Sequence, residues 1–437
     1  MLESGGGPKV AAIPTVEPTL VPADIAWILV ATGLVLLMTP ALAFFYGGLV
    51  RSKNALNTMM MSFASFGVVG VVWVLVAYSI AFSTGNDWIG GFDHVLLAGV
   101  GLEPKGTIPH VLFMIYQGTF AIITAALISG AIVERMRFLP YLIFIALWTI
   151  VVYAPVAHWV WGGGWLFKKG ALDFAGGTVV HVNAAVAALV AALVVGPRHD
   201  YGKQAPLPHN VPFVLLGAGL LWFGWLGFNG GSALAANAAA ALAASNTIIA
   251  PFATVVVWMA LDHFRSGHIT AVGVATAIVV GLVAITPAAG FISPMHALLL
   301  GAIAAFPSYF GIMMRSRSRL DDSLDVTPAH GIGGIVGALL TGVFAAAQWG
   351  GMDGILTGKS DQLTIQAIGV GATILYSAVA SFILLKAIGL VMPLRPALRP
   401  EAVGLDVGAH GEEAYTTGDG AILVLEGGAR AAKKEAA

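Results

Sequence analysis

The chain has 437 residues, 58% of them hydrophobic and only 10% charged, with a net charge of −1 and a mean hydropathy of +0.88. So little polar surface excludes a water-soluble protein of this length, and the near-neutral balance, with no basic patch among aromatics, argues against nucleic acid as a partner. The absence of cysteine excludes disulfides and thiolate metal sites.

Residues 1–22 are rich in Gly, Pro and Val and lack the basic start and apolar core of a signal peptide. They are expected to form a short disordered extracytoplasmic tail. Eleven apolar segments follow, at about 24–50, 57–83, 109–133, 138–157, 175–197, 211–230, 235–262, 268–288, 292–314, 328–348 and 362–393. Each is long enough for a membrane helix, so the expected fold is an all-α polytopic membrane protein with its transmembrane domain over 23–393. Arg51, Lys53, Arg135, Arg137, Arg198, Lys203, Arg265, Arg315, Arg317 and Arg319 fall in alternate loops, which places that face in the cytoplasm. An odd number of spans then puts the N-terminus outside and the C-terminus inside the cytoplasmic membrane. Residues 394–437, with Arg395, Arg399, Glu401, Asp406, Glu412 and Glu413, read as a polar cytoplasmic tail, flexible from Thr416 onward.

Segments five and ten look related. Each follows an acidic residue, carries a histidine early (His181, His330) and continues in Gly/Ala-rich sequence. Segments one and six share an aromatic followed by paired glycines, in Phe45-Tyr46-Gly47-Gly48 and Phe228-Asn229-Gly230-Gly231. A period of five spans is odd, so the two copies insert in opposite directions, and an inverted repeat places its site at the repeat interface near the bilayer midplane. The eleventh span lies outside the repeat. Most of the 55 glycines serve close helix packing.

An ionisable side chain in lipid is costly and belongs to a polar pathway or to a partner. His181 and His330 are therefore either two unrelated residues bonded to local carbonyls or a pair that shares a proton. No third ligand stands at metal spacing on the same span. Asp173 suits the N-cap of segment five, and it also suits electrostatic stabilisation of a nearby cation. Asp325 and Thr327-Pro328 resemble a helix start, which would put His330 near the membrane surface unless the helix begins earlier or the segment re-enters. Tyr116 and Phe120, four apart on one helix face, join Trp161, Trp225 and Phe228 as aromatics that either pack or form a cation–π site, with Ser232 as an added acceptor. Nothing resembles a nucleophile–base–orienter set, so no enzyme activity and no cofactor are expected.

Five blocks, in order over residues 24–415, resemble the ammonium transporter family (Amt/Mep/Rh). They are Val133 to Phe138, Asp173 to Arg198 (with Asp173-Phe-Ala-Gly-Gly-Thr-Val-Val-His181), Trp222 to Ser232, Asp325 to Gly337, and Gly404 to Tyr415. The resemblance implies a homotrimer with one pore per subunit. It implies an outer ammonium site at Trp161, Phe120 and Ser232, a stacked gate of Phe120 and Phe228, a pore lined by Trp225, and twin histidines His181 and His330. Asp173 would be an acidic residue near the entry, mainly structural and electrostatic. The implied mechanism is binding of the cation, its deprotonation and passage of ammonia, with a proton relay along the histidines. The alternatives are net ammonia channelling, an ammonium sensor with little transport, and a Rh-like gas channel for ammonia or carbon dioxide. A PII signalling protein is the implied partner at the cytoplasmic face. Two departures stand out: Tyr116 occurs where many relatives carry phenylalanine, and the tail has fewer acidic residues than the family pattern.

Overall fold

A computed structural model describes residues 19–203 and 206–415. The expected tail over 1–22 therefore lies almost wholly outside the described residues, as does the expected flexible stretch from Thr416 onward. The described chain is almost entirely helical, apart from a two-residue hairpin pairing Pro104–Lys105 with Ile108–Pro109.

Among the described residues, ten helices are long and apolar enough to cross a membrane, and an eleventh apolar helix is shorter. They are α1 (Pro22–Leu49), α2 (Ser52–Phe82), α3 (His110–Ala131), α4 (Phe138–Lys169), α5 (Gly177–Val195), α6 (Val211–Gly231), α7 (Ala238–Ser266), α8 (Ala271–Ile285), α9 (Pro294–Ser316), α10 (Thr327–Phe344) and α11 (Gln362–Val391). Their starts follow from local chemistry. Asn210, Asn237, Thr270 and Ser293 each accept a hydrogen bond from the backbone N–H three residues on, at 3.0 to 3.1 Å. Pro22 and Pro294 occupy first-turn positions, where a missing N–H costs nothing. The expected fourth segment stopped at 157, whereas α4 runs to Lys169 with a break at 161–164 that ends its long arm on Trp161. The three glycines Gly162-Gly163-Gly164 permit that turn, and Gly163 has φ +86°.

Segments expected to be equivalent meet in space. α1 packs more extensively against α6 than any other two helices pack together. Small residues permit this approach: a Cβ on Gly217 would stand 2.7 Å from the Cα of Phe45, and one on Gly227 would stand 2.8 Å from the carbonyl of Ala31. α5 and α10 also touch, and both begin with a π-helical turn, Gly177–Val182 and Thr327–Ile332.

On the arginine-rich face, buried ion pairs tie four loops together. Glu134 receives Arg51 and Arg198, each at 2.7 Å, and Arg198 also reaches Asp321 at 2.8 Å. Arg135, fully buried, donates to the carbonyl of Gly196 and to Ser323 Oγ, each at 2.6 Å. Burial works against the charge of Glu134, but the two guanidiniums prevail and hold its carboxyl at about 2.

The polar tail of the sequence reading is docked, at least as far as Tyr415. Its helices α12 (Leu398–Val403) and α13 (Leu405–His410) bury Glu401 and Asp406 instead of exposing them. Glu401 pairs with Arg395 at 2.6 Å and accepts from His199 N at 3.1 Å. Asp406 accepts from the N–H groups of Leu56 and Asn57 at the start of α2. These carboxylates are buried because unpaired backbone donors lie beneath them, which spacing along the tail does not reveal.

Candidate functional site

His181 and His330 meet at the centre of the bundle. Their Nδ1 atoms lie 3.3 Å apart, and the rings stack at 5.3 Å between centroids with a 28° interplanar angle. Both are buried, at 1% and 3% exposure. The crossing needs a glycine: a Cβ on Gly334 would stand 3.0 Å from the carbonyl of Gly177 and 3.3 Å from the Cβ of His181. A hydrogen bond between two Nδ1 atoms requires one ring to donate and the other to accept. The two neutral rings must then hold opposite tautomers, so one Nε2 carries a proton and the other a lone pair. His181 Nε2 has no hydrogen-bond partner among the described residues.

Each histidine helix starts on a buried aspartate. Asp173 accepts four backbone N–H groups, from Gly176, Gly177, Thr178 and Val179, at 2.6 to 3.1 Å. In the second half this place belongs to Asp322, which accepts from Val326 at 3.1 Å and Thr327 at 2.6 Å. Spacing along the chain pairs Asp325 with Asp173. Asp325 instead turns away with φ +59° and binds Arg315 at 2.7 Å. The helix does begin at Thr327, and its π-helical turn carries His330 inward to His181.

Three cavities stand in line through this centre. The outer one, about 170 Å³, is lined by Phe120, Trp161 and Ser232 together with Phe113, Gln117 and Phe174. Phe120 and Phe228 close its floor, with centroids 4.2 Å apart. Below them lies a narrow apolar space of about 10 Å³, bordered by Phe228, Trp225, His181 and His330 with aliphatic neighbours. Trp225 stacks on His181 at 5.3 Å and is fixed by donating Nε1–H to Thr286 Oγ1 at 2.8 Å. The third cavity, about 200 Å³, runs from His330 past Phe45 to Arg198, Arg315 and Asp325 on the arginine-rich face.

The outer cavity offers acceptors and π faces rather than donors. Ser232 donates its hydroxyl proton to the carbonyl of Phe228 at 2.8 Å, which leaves its lone pairs free. Trp161 donates its indole N–H to the carbonyl of Asp173 at 2.9 Å, so it turns a ring face and not a proton to the cavity. The C-terminal end of α6, with its partial negative charge, closes beside Ser232.

Tyr116, singled out by sequence as an outer aromatic, takes another place, whereas Asp173 takes its capping place rather than one beside a cation. Tyr116 does not line the outer cavity. It packs edge-on behind Phe120 at 5.1 Å and donates to the carbonyls of Gly227 at 2.9 Å and Phe228 at 3.1 Å. The carboxylate of Asp173 is spent on its four N–H partners. Sequence reasoning missed Phe113, Gln117 and Phe174 in the outer wall, Phe45 and Thr286 around the centre, and Asp322 as the second cap. Phe113 and Gln117 had a findable signal, since they lie at helical spacing from Phe120 on the same face.

Comparison with known proteins extends this likeness. Residues 26–415 match the model of the Ammonium Transporter Family. The chain is 49% identical over 406 residues to an ammonium transporter of Aquifex aeolicus, covering 91% of this chain and 95% of that protein. It is 46% identical over 388 residues to one of Bacillus subtilis, covering 87% and 96%. Among solved structures, Mep2 of Saccharomyces cerevisiae matches with a TM-score of 0.82 and 36% identity, over 87% of this chain and 88% of that chain. A sensor Amt protein matches with a TM-score of 0.84 and 30% identity, over 89% and 98%. By sequence and by fold, over nearly all of its described length, this multi-pass membrane chain belongs to the ammonium transporter family.

Proposed function

We propose that the protein carries ammonium selectively across the cytoplasmic membrane, recruiting the cation outside, removing a proton and conducting ammonia past the twin histidines. The observation that carries this reading is the order of the three cavities: an aromatic, acceptor-rich chamber, then a double phenylalanine barrier, then an apolar slot bordered by two neutral-capable imidazoles. A desolvated cation over Trp161 and Phe120 gains about 2 kcal/mol, with Ser232 Oγ as acceptor. Potassium and ammonium fit such a cage alike. Only ammonium can shed a proton, and an ion entering the apolar slot would lose its hydration without repayment.

The proton follows from the tautomer argument. The imidazole nitrogen with a free lone pair accepts it, the shared Nδ1–Nδ1 proton shifts, and the other ring releases a proton from its Nε2. Both tautomers reverse, so one passage moves one positive charge and the uptake is electrogenic. Asp173 holds the turn before His181 rather than exchanging the proton, since its oxygens are saturated. By the arginine-rich loops the N-terminus lies outside and the C-terminus in the cytoplasm. The protein works as a homotrimer of independent pores, and the cytoplasmic mouth with its docked tail is where a PII signalling protein would act.

Sensing is the second reading, favoured by the similarity to a sensor Amt protein. Ammonium and potassium pulses on a solid-supported membrane bearing the reconstituted protein separate the readings. Electrogenic transport gives a current for ammonium alone. Equal currents would overturn the selectivity argument. Binding of ammonium without current would favour the sensor.

A further inference from the structure

One cation already sits on the wall of the outer chamber. The ammonium of Lys105 lies over the ring of Phe113, 4.9 Å from its centroid, and stands 5.9 Å from the centroid of Tyr78. Phe113 lines the chamber, as does Phe82, which meets it edge-on at 5.1 Å. A ring face attracts a desolvated cation electrostatically. Lys105 therefore makes the same kind of contact that the chamber offers to a free cation.

The backbone holds Lys105 in that place. It belongs to the two-residue hairpin and pairs with Ile108 around Gly106, whose φ is +67°. Just before α1, the N–H of Val21 donates to the carbonyl of Thr107 at 2.9 Å. At the start of α3, the N–H groups of His110 and Val111 donate to the carbonyls of Glu103 and Gly101 at 2.9 and 3.0 Å. The hairpin is thus fastened to the helix that carries Phe113, Gln117 and Phe120 into the chamber. Lys105 is half-buried and makes no ion pair among the described residues. Glu103, two residues before it, is exposed and joined to His110 Nδ1 at 3.0 Å, while His110 Nε2 meets the Tyr78 hydroxyl at 2.5 Å. The Lys105 charge is left unneutralised against an apolar wall, through which its field reaches further than through water.

From this arrangement we infer that Lys105 is a tethered cation that weakens ammonium binding in the outer chamber and so sets the affinity of recruitment. Phe113 and Phe120 are two helical turns apart, so the Lys105 ammonium and a cation held by Phe120 and Trp161 stand roughly 10 Å from each other. Like charges at that separation change affinity by about two- to fourfold. A site on a conduction path must bind weakly enough to release its ion, and a fixed positive charge behind the wall sets that limit. The inference rests on the chamber being the recruitment site proposed above.

Ammonium-evoked currents of the reconstituted full chain, recorded at low ionic strength to limit screening, test this. Lys105→Met keeps the apolar stem and removes the charge, and Lys105→Gln removes it with a polar stem. Both should lower the apparent KM for ammonium by about two- to fourfold, with maximal current little changed. The KM for methylammonium should fall by the same factor, because a charge acts on both cations alike. Lys105→Arg should keep the wild-type KM. An unchanged or raised KM in both neutral variants, a fall confined to one of the two cations, or an equal fall in Lys105→Arg would overturn the proposal. Should the wild type carry no current, isothermal titration with ammonium reads the same affinity ratio, so transport can fail while this inference stands. A wild type that neither conducts nor binds ammonium would overturn the recruitment site and this inference together.

Discussion

Asp173 and Asp322 cap the two histidine helices from equivalent positions, each eight residues before its histidine. The first gathers four backbone N–H groups and the second two. Because both helices open with a π-helical turn, the caps fix where the imidazoles stand. Hydrogen bonds to a charged acceptor contribute about 1.5–3 kcal/mol each, and orphaned buried donors cost a similar amount. Asp173→Ala should therefore lower the thermal midpoint in detergent more than Asp322→Ala does. Asp173→Asn should fall between wild type and Asp173→Ala, since its amide nitrogen would face N–H donors. Equal midpoints for the two alanine variants would contradict the cap account.

The Nδ1–Nδ1 contact makes the two histidines one unit, so their removal should not be additive. The double variant His181→Ala, His330→Ala should lose the ammonium current by at least about tenfold or lose its discrimination against potassium. Each single variant should show most of the same defect. A double variant that kept both current and selectivity would refute the relay. The control is the folded fraction by size-exclusion chromatography, because the emptied site lies in a packed centre.

Trp161 presents its ring and Ser232 its lone pairs to the outer chamber, so on the function proposed above both should act on binding rather than on passage. Loss of a desolvated cation–π contact worth about 2 kcal/mol corresponds to roughly thirtyfold in affinity. Trp161→Leu should raise the apparent KM for ammonium by up to that factor, with a much smaller change in maximal current. Ser232→Ala should raise it by less. A fall in maximal current at unchanged KM would place Trp161 outside the recruitment site.

Glu134 sets an acid limit on the ion-pair network of the arginine-rich face. Its folded-state value of about 2 lies below the ordinary value of about 4.3. A depressed carboxylate contributes stability that is complete above its unfolded value and is lost as pH falls through its folded value. The thermal midpoint should thus be insensitive to this group above about pH 5 and should drop between about pH 4 and 2. Glu134→Gln leaves Arg51 and Arg198 short of a partner. It should cost about 3 kcal/mol near neutral pH, and its midpoint should vary less over the acid window. Differential scanning fluorimetry across pH gives both readings.

The linear order of residues carries a large part of this protein. Apolar runs bounded by Asn, Thr, Ser and Pro starts determine eleven helices, because burying a backbone in lipid leaves few alternatives to helix. Arginine gathers in alternate loops, and motifs 149 and 183 residues apart announce a repeat. Those features depend on composition and period, which a chain displays without folding. Small shifts along the chain were harder to see. Asp322 and Asp325 look alike in sequence because both precede His330, and only the positive φ of Asp325 and the N–H groups beneath Asp322 separate them.

Tertiary structure alone decided what meets what. The opposed Nδ1 atoms of His181 and His330, the placing of Tyr116 behind Phe120 instead of in the chamber, and the burial of the tail's Glu401 and Asp406 against the loops all depend on contacts between distant segments. Hydrophobic periodicity says which face of a helix is buried, but not against which neighbour or at what rotation. Those are settled when glycines such as Gly217 and Gly334 let two backbones close to contact and every buried polar group must find its partner in the space that remains.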